Sequence, residues 1–309
     1  TTDQPRPNLF LVGNFKCGTR AMRELLNQHP DIFMCPGQDP NFFCNDLHEE
    51  ADRVGHSNYF PIRSETDYLT LFKSATDKTV IGEASVWYFL SESAPQEISQ
   101  FAPNAKIIVI HRATDDLLRS LHAARVHAGS EHITSLREAL DAEPKRKATG
   151  FVPLAGIPQL VHYSLYADFE RHIDRYRTYF CPEQIMVIEY EEYDADNLGV
   201  LRRVFNWLDV DPTFEPSPTR INLGTQVRFR QLINIVQRPF INGGCEGLYL
   251  LKHTDTFNIY FGSSPFEEQG DRDHINELPN NTSTEDRRRL LHDLSRSTAE
   301  RAPRMLSSG

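Results

Sequence analysis

Asn8-Leu9-Phe10-Leu11-Val12-Gly13-Asn14-Phe15-Lys16-Cys17-Gly18-Thr19-Arg20 is the stretch from which the architecture is read. A short apolar run meets a glycine-flanked turn carrying one lysine, and an amphipathic segment follows at once. This is the order strand, anion-binding loop, helix. Such a loop aims backbone N–H groups and the positive end of a helix dipole at a phosphate or sulfate. A nucleotide-triphosphatase loop reads G-x-x-x-x-G-K-[ST], with lysine after the second glycine and a hydroxyl that holds magnesium. Here the spacing from Gly13 to Gly18 fits, but the lysine lies inside the loop at Lys16, and Thr19 and Arg20 take the places of Lys and Ser/Thr. The pattern predicts a site for an anionic donor handled without Mg-NTP machinery.

Working outward, residues 9–12, 79–84, 106–111 and 184–189 read as short buried strands, aliphatic or β-branched and followed by polar residues. Helical patterns separate them, over 21–29, 67–73, 94–101, 114–128, 160–180 and 198–208. In the fourth of these Thr114 can cap, Asp115 and Asp116 suit the first turn, and Leu117, Leu118 and Leu121 form a stripe. Strands alternating with helices predict an α/β fold: a P-loop-like, doubly wound parallel sheet flanked by helices, with its ligand at the carboxyl ends of the strands. A single domain over 1–309 is expected, with an α/β core at 8–230 and an irregular, helical extension at 231–309. Residues 35–63 and 145–158 read as loops, the second holding Lys145-Arg146-Lys147, and 242–280 yield no clear strand. A surface helix is expected over 285–294.

The chain has 309 residues, is 39% hydrophobic and 25% charged, and so can bury a sizeable core. Its formal charge of −10 argues against nucleic acid as a partner, while leaving room for a local basic pocket. The five cysteines (17, 35, 44, 181 and 245) are scattered without zinc-site spacing, which predicts reduced thiols and a cytoplasmic setting, with a luminal fragment that lacks its anchor as the alternative. No apolar run of about 18 residues predicts a membrane span, and residues 1–7 lack the plan of a secretory signal. Oligomeric state is not legible.

A second polar element closes the run Lys106-Ile107-Ile108-Val109-Ile110-His111-Arg112. It sets a permanent cation at a strand's carboxyl end, and Ser120 follows eight residues later, about two turns into the next helix. Arginine grips phosphate in a planar fork and serine adds a hydroxyl donor. Standing alone, such an arginine could equally pair with a neighbouring acid.

Together the two elements resemble the sulfotransferase family, which uses 3'-phosphoadenosine 5'-phosphosulfate as donor. That family's first loop, K-x-G-[ST]-[ST], is matched by Lys16-Cys17-Gly18-Thr19, with Arg20 in the last place. Its Arg with Ser eight residues on is matched by Arg112 and Ser120, and Gly82-Glu83-Ala84-Ser85 is similar to a G-E-[KA]-S segment of the bacterial and heparan-type branches. The resemblance covers roughly residues 8 to 230. It implies that the loop (Lys16, Cys17, Gly18, Thr19, Arg20) binds the 5'-phosphosulfate, that Arg112 and Ser120 bind the 3'-phosphate, and that Glu83 is the catalytic base. Arg20 and Ala113-Thr114 depart from the pattern, as does Gln38-Asp39-Pro40 where many relatives have Lys-Glu-Pro. No late R-K-G motif is present; Arg228 or Arg230 could replace it, with Arg228 preferred.

The implied reaction is in-line transfer of a sulfuryl group to the hydroxyl of a small molecule or glycan, with Lys16 stabilising the leaving phosphate and no metal required. His48, His111, His122 and His127 are alternative bases, and Cys17 reads as packing under the loop. The negative charge favours a sugar, lipid, polyketide or other small metabolite over a highly sulfated polysaccharide. Trp87, Tyr88, Tyr163 and Tyr166 could line the acceptor pocket or the core. Two rival readings are a P-loop phosphotransferase or NTPase, and a non-catalytic nucleotide-binding member of the fold.

Overall fold

The computed structural model describes residues 4–36, 39–153 and 156–217, together with three strands between 247 and 278. The chain divides into two compact units, Thr1–Val227 and Arg228–Gly309, where one domain with an extension is expected from the sequence.

In the first unit, β1 (Leu9–Gly13) runs through the middle of a five-stranded sheet. Its neighbours are β3 (Val80–Ala84) on one side and β4 (Lys106–His111) on the other, with β2 (Ile32–Met34) and β5 (Ile185–Glu189) outside them. Every pairing is parallel, in the order β2-β3-β1-β4-β5. β1 and β3 are buried along their whole length, and β4 is buried except at its two ends. This is why they read as unbroken apolar runs: a parallel strand covered on both faces has no polar side to alternate with. β5 forms an edge, and Val187 there is 36% exposed. The expected α/β sheet and its four strands are all present. β2 escapes a sequence reading because three residues carry too little periodicity.

Helices flank the sheet. They are α1 (Thr19–Leu26), α2 (Asn45–Arg53), α3 (Glu65–Thr70), α4 (Trp87–Leu90), α5 (Ala94–Phe101), α6 (Thr114–Ala128), α7 (Leu136–Thr149), α8 (Tyr163–Ala167), α9 (Phe169–Tyr179), α10 (Tyr190–Ala195) and α11 (Asn197–Leu208). α2 lies inside the segment expected to be loop. The helix expected over 160–180 is two, because Asp168 leaves helical geometry between α8 and α9 (φ −89°, ψ 59°). Lys145-Arg146-Lys147 belongs to α7 and not to a loop. Arg146 is buried there and meets Glu131 in two hydrogen bonds of 2.7 Å, with Tyr163 donating to the same carboxylate at 3.0 Å. The ion pair turns a basic triplet into an anchor for the helix.

In the second unit, β6 (Gly247–His253), β7 (Thr256–Gly262) and β8 (His274–Leu278) form an antiparallel sheet in that order. The sequence gives no sign of them because Leu248-Tyr249-Leu250-Leu251 and Ile259-Tyr260-Phe261 lack an alternating polar face. The helix expected over 285–294 lies outside the described residues, as do Arg228 and Arg230. Cys17, Cys35, Cys44 and Cys181 are free thiols, and Cys245 is not described. No helix among the described residues is long and apolar enough to cross a membrane.

Candidate active site

The chain winds from β1 through β2 to β3 on one side of the sheet, then crosses to β4 and β5 on the other. Strand order therefore reverses between β1 and β4, and their carboxyl ends open a crevice where ligands of such sheets bind. The loop at residues 14–18 rises from that point. Asn14 fixes its base: its N–H donates to Ile110 O at 3.0 Å and its Oδ1 accepts from Phe15 N at 2.7 Å. Lys16 (φ 59°) and Gly18 (φ 79°) are left-handed, which turns the backbone sharply. Gly13 permits the close approach of α4, since a Cβ there would lie 2.7 Å from Phe89 Cβ. Gly18 is the N-cap of α1 and supplies no side-chain cap. Thr19 is the first helical residue. Cys17 is buried, its Sγ donates to Phe15 O at 3.2 Å, and burial pushes its thiol up to about 12. It packs under the loop, and only its backbone N–H is available to an anion.

Cations gather round this loop. Arg112, just past β4, donates from Nη1 to Lys16 O at 2.8 Å, and its guanidinium lies 4.4 Å from the Tyr190 ring centroid. Its Nε is buried without a partner. Arg125, on α6, lies 5.4 Å from the Phe15 ring centroid and donates to Tyr166 OH at 3.3 Å. Lys16 itself is exposed, and partial burial of its stem followed by the charges of Arg112 and Arg125 lowers its pKa. Among the described residues, no carboxylate lies within ion-pair distance of any of the three. Ser120 stands in the second turn of α6, and its hydroxyl engages no partner among the described residues.

Two expected site residues are placed elsewhere. Arg20 is exposed and pairs with Glu24 one turn on, at 3.2 Å, so its side chain runs along α1 rather than into the loop. Glu83 is 0% exposed. Its Oε1 accepts from Tyr68 OH (2.6 Å) and Tyr88 OH (2.9 Å), and its Oε2 from Ser85 Oγ (2.6 Å). A carboxylate sealed from solvent and holding three O–H donors keeps at most one lone-pair position for a further donor, so the direct base role expected of Glu83 would have to work through that position. Burial raises its pKa to about 7, against the opposing pull of the three hydroxyls.

What Glu83 does hold is the loop after β2. A carboxylate only accepts, so the Ser85 and Tyr88 hydroxyls must point their hydrogens at it and turn their lone pairs outward. Those lone pairs receive Asn41 N (2.9 Å), Phe42 N (2.8 Å) and Phe43 N (3.2 Å). The loop they pin contains two left-handed residues, Asp39 (φ 46°) and Asn41 (φ 50°). Asp39 is half-buried, accepts from Val86 N at 3.0 Å through Oδ1, and is raised in pKa chiefly by burial. The one sequence signal for it is that an acid is kept where relatives have Lys-Glu-Pro.

Phe15, Tyr59, Trp87 and Tyr166 form an aromatic wall beside the loop, with Phe15 4.8 Å from Trp87 and 5.2 Å from Tyr166 between centroids. Trp87, Tyr88, Tyr163 and Tyr166 are all buried, so core packing accounts for them. His48 bonds Asn41 O, His111 bonds Glu189 and His122 bonds Ile133 O, which leaves none of these three facing the loop as a free base. His127 is exposed. Among the described residues no group of three or more His, Cys, Asp or Glu side chains is placed to hold a metal ion. Arg125, Tyr190 and Asp39 are the site residues that motif reading missed; the first two carry no motif of their own.

The class defined is an α/β protein whose parallel sheet gathers cationic side chains at its reversal point, round a glycine-flanked loop. A family model described as the sulfotransferase family matches residues 7–216, and the chain belongs to that family. It is 32% identical to a crystal structure of a sulfotransferase from Alicyclobacillus acidocaldarius, with a TM-score of 0.62 over 71% of this chain and 87% of that one. It is 26% identical over 205 residues to human heparan sulfate glucosamine 3-O-sulfotransferase 6, covering 65% of this chain and 52% of that protein. It is 27% identical over 216 residues to human bifunctional heparan sulfate N-deacetylase/N-sulfotransferase 3, covering 68% of this chain and 23% of that protein. The chain thus spans about half the length of the first of these curated relatives, and about a quarter of the second.

Proposed function

We propose that this chain is a sulfotransferase that moves a sulfuryl group from 3'-phosphoadenosine 5'-phosphosulfate to an acceptor hydroxyl. The observation that carries the reading is the junction of Lys16 and Arg112: Arg112 Nη1 donates to the Lys16 backbone carbonyl at 2.8 Å, so two cationic residues meet at the sheet's reversal point with no carboxylate among the described residues within ion-pair distance of either. Burial and then the charge of Arg112 disfavour the charged form of Lys16, and an anionic ligand offsets that repulsion. Buried, unpartnered Arg112 Nε fits the same ligand.

The donor supplies an S–O bond activated by a phosphate leaving group. Residues of the chain do the rest. Backbone N–H groups of Cys17, Gly18 and Thr19 cradle the 5'-phosphosulfate at the start of α1. Arg112, with Ser120 on α6, holds the 3'-phosphate. Lys16 stabilises charge on the bridging oxygen as the S–O bond breaks and its electron pair stays with the phosphate. The acceptor oxygen forms the new bond to sulfur, and its proton passes to Asp39, a carboxylate at this end of the sheet whose Oδ1 accepts from Val86 N and whose Oδ2 engages no partner among the described residues. Glu83 acts at one remove, by fixing the loop that bears Asp39.

The curated relatives are named for action on heparan sulfate, which supports a hydroxyl-bearing glycan acceptor. The charge of −10 favours a less anionic sugar, lipid or polyketide. Calorimetry with adenosine 3',5'-bisphosphate against ATP-Mg, followed by sulfate transfer across acceptor classes, tests the proposal. Tighter binding of ATP-Mg, or binding without transfer to any acceptor, would overturn it.

A further inference from the structure

Arg125 is a charge that the fold leaves unanswered. It sits on the last third of α6 with its guanidinium over Phe15, the residue before Lys16, at 5.4 Å from the ring centroid. Of its five N–H donors, one has a recorded partner among the described residues, Tyr166 OH at 3.3 Å. Its Nε is buried and satisfies no acceptor.

The same domain shows how it treats an arginine with a structural task. Arg146 is buried against Glu131 in a bidentate pair at 2.7 Å, and Tyr163 completes the carboxylate's shell. Nothing comparable is provided for Arg125. A guanidinium set among aromatic rings with an unpaired donor costs free energy, and placing it where it repels Lys16 adds to that cost. Both costs are offset when an anion arrives between the two cations.

Position narrows which part of the donor that is. Arg112 lies on the Tyr190 side of the loop. Arg125 lies on the Phe15 side, in the aromatic wall formed with Tyr59, Trp87 and Tyr166. The charges of Arg125 and Asp39 both act on the phenol of Tyr59, a member of that wall. The group that must lie between Lys16 and an incoming acceptor is the sulfuryl group.

We propose that Arg125 is a catalytic residue whose guanidinium binds the non-bridging oxygens of the transferring sulfuryl group, opposite the Arg112 site for the 3'-phosphate. This rests on the sulfotransferase reading. Planar N–H donors aimed at oxygens whose charge is shared with the leaving group hold the sulfur in line between acceptor and phosphate.

The test compares two nucleotides without acceptor: 3'-phosphoadenosine 5'-phosphosulfate, and adenosine 3',5'-bisphosphate, which lacks the sulfuryl group. Calorimetry on Arg125→Gln should show affinity for the sulfated nucleotide falling at least tenfold, and for the bisphosphate less than threefold. Arg125→Lys, which keeps the charge and loses the fork, should retain most of the sulfated nucleotide's affinity while turnover falls at least tenfold. Equal losses for both nucleotides in Arg125→Gln, or no loss for either, overturn the assignment. Turnover of Arg125→Lys equal to wild type also overturns it. A wild-type protein that binds neither nucleotide refutes the sulfotransferase reading itself, and the role of Arg125 with it.

Discussion

The Nη1 atom of Arg112 lies 2.8 Å from the carbonyl oxygen of Lys16, tying the end of β4 to the loop that follows β1. One guanidinium thereby shapes the loop, and its remaining N–H groups are the ones proposed to hold a ligand. Lys16 is left-handed at φ 59°, an unfavourable conformation for a residue with a Cβ, and this hydrogen bond helps to hold it there.

Arg112→Lys should consequently be severe. Lysine is a point donor and cannot span the carbonyl and a phosphate at once. Nucleotide affinity should fall at least tenfold, and Ser120→Ala should weaken it less. Both variants should lose preference for nucleotides carrying a 3'-phosphate over those without. Calorimetry with adenosine 3',5'-bisphosphate and adenosine 5'-phosphate measures this ratio. An unchanged ratio in both would remove the pair from the 3'-phosphate.

Lys16→Ala should reduce kcat by roughly 100- to 1,000-fold, the scale of removing one preorganised charge-stabilising donor. Donor binding should fall far less, because the loop's backbone N–H groups persist. Steady-state transfer with saturating donor separates the two effects. Turnover near wild type would show that the leaving phosphate is stabilised by another group.

Asp39→Asn should lower turnover at least 100-fold with donor affinity intact. Since burial raises the Asp39 pKa above its ordinary 3.8, activity in the wild type should rise with pH through a limb displaced above the usual aspartate range. That limb should be missing from the residual activity of the variant. Its persistence in Asp39→Asn would assign the proton to a different acceptor.

Glu83 makes a stability prediction. Its pKa is about 7 in the folded chain against an ordinary 4.5, so the folded state binds this proton more tightly than the unfolded one. The resulting stabilisation is complete below pH 4.5 and is lost as the pH rises through 7. Glu83→Gln removes that dependence. Urea unfolding of both proteins should show the wild type losing on the order of 2 kcal/mol more than the variant between pH 5 and pH 8. Parallel curves would mean that Glu83 is not the titrating group. Activity in Glu83→Gln should fall through the Asp39 loop, since an amide cannot accept from three hydroxyls.

Much of the site was legible because it is written locally. Lys16, Gly18 and Thr19 announce a loop by spacing, and Arg112 and Ser120 follow from a strand end and a helix. Cys17 could be read as packing from its neighbours alone. Arg20 was misplaced because a motif position does not say which way a long side chain runs. Glu24, one turn further on, settled it.

By itself the sequence determined the strands that flank the crevice, the anion loop between β1 and α1, and the family resemblance. Each is a matter of short-range periodicity or turn chemistry, which neighbouring residues encode. Only the tertiary structure decided how each candidate carboxylate is covered. Tyr68 on α3 reaches Glu83 from 15 residues away and joins Ser85 and Tyr88, which follow β3, in closing over it, while Asp39 is half-buried on the loop they support. The same holds for Arg125, which has no carboxylate within ion-pair distance among the described residues. Burial and charge pairing are set by residues distant in the chain, and no local pattern records them.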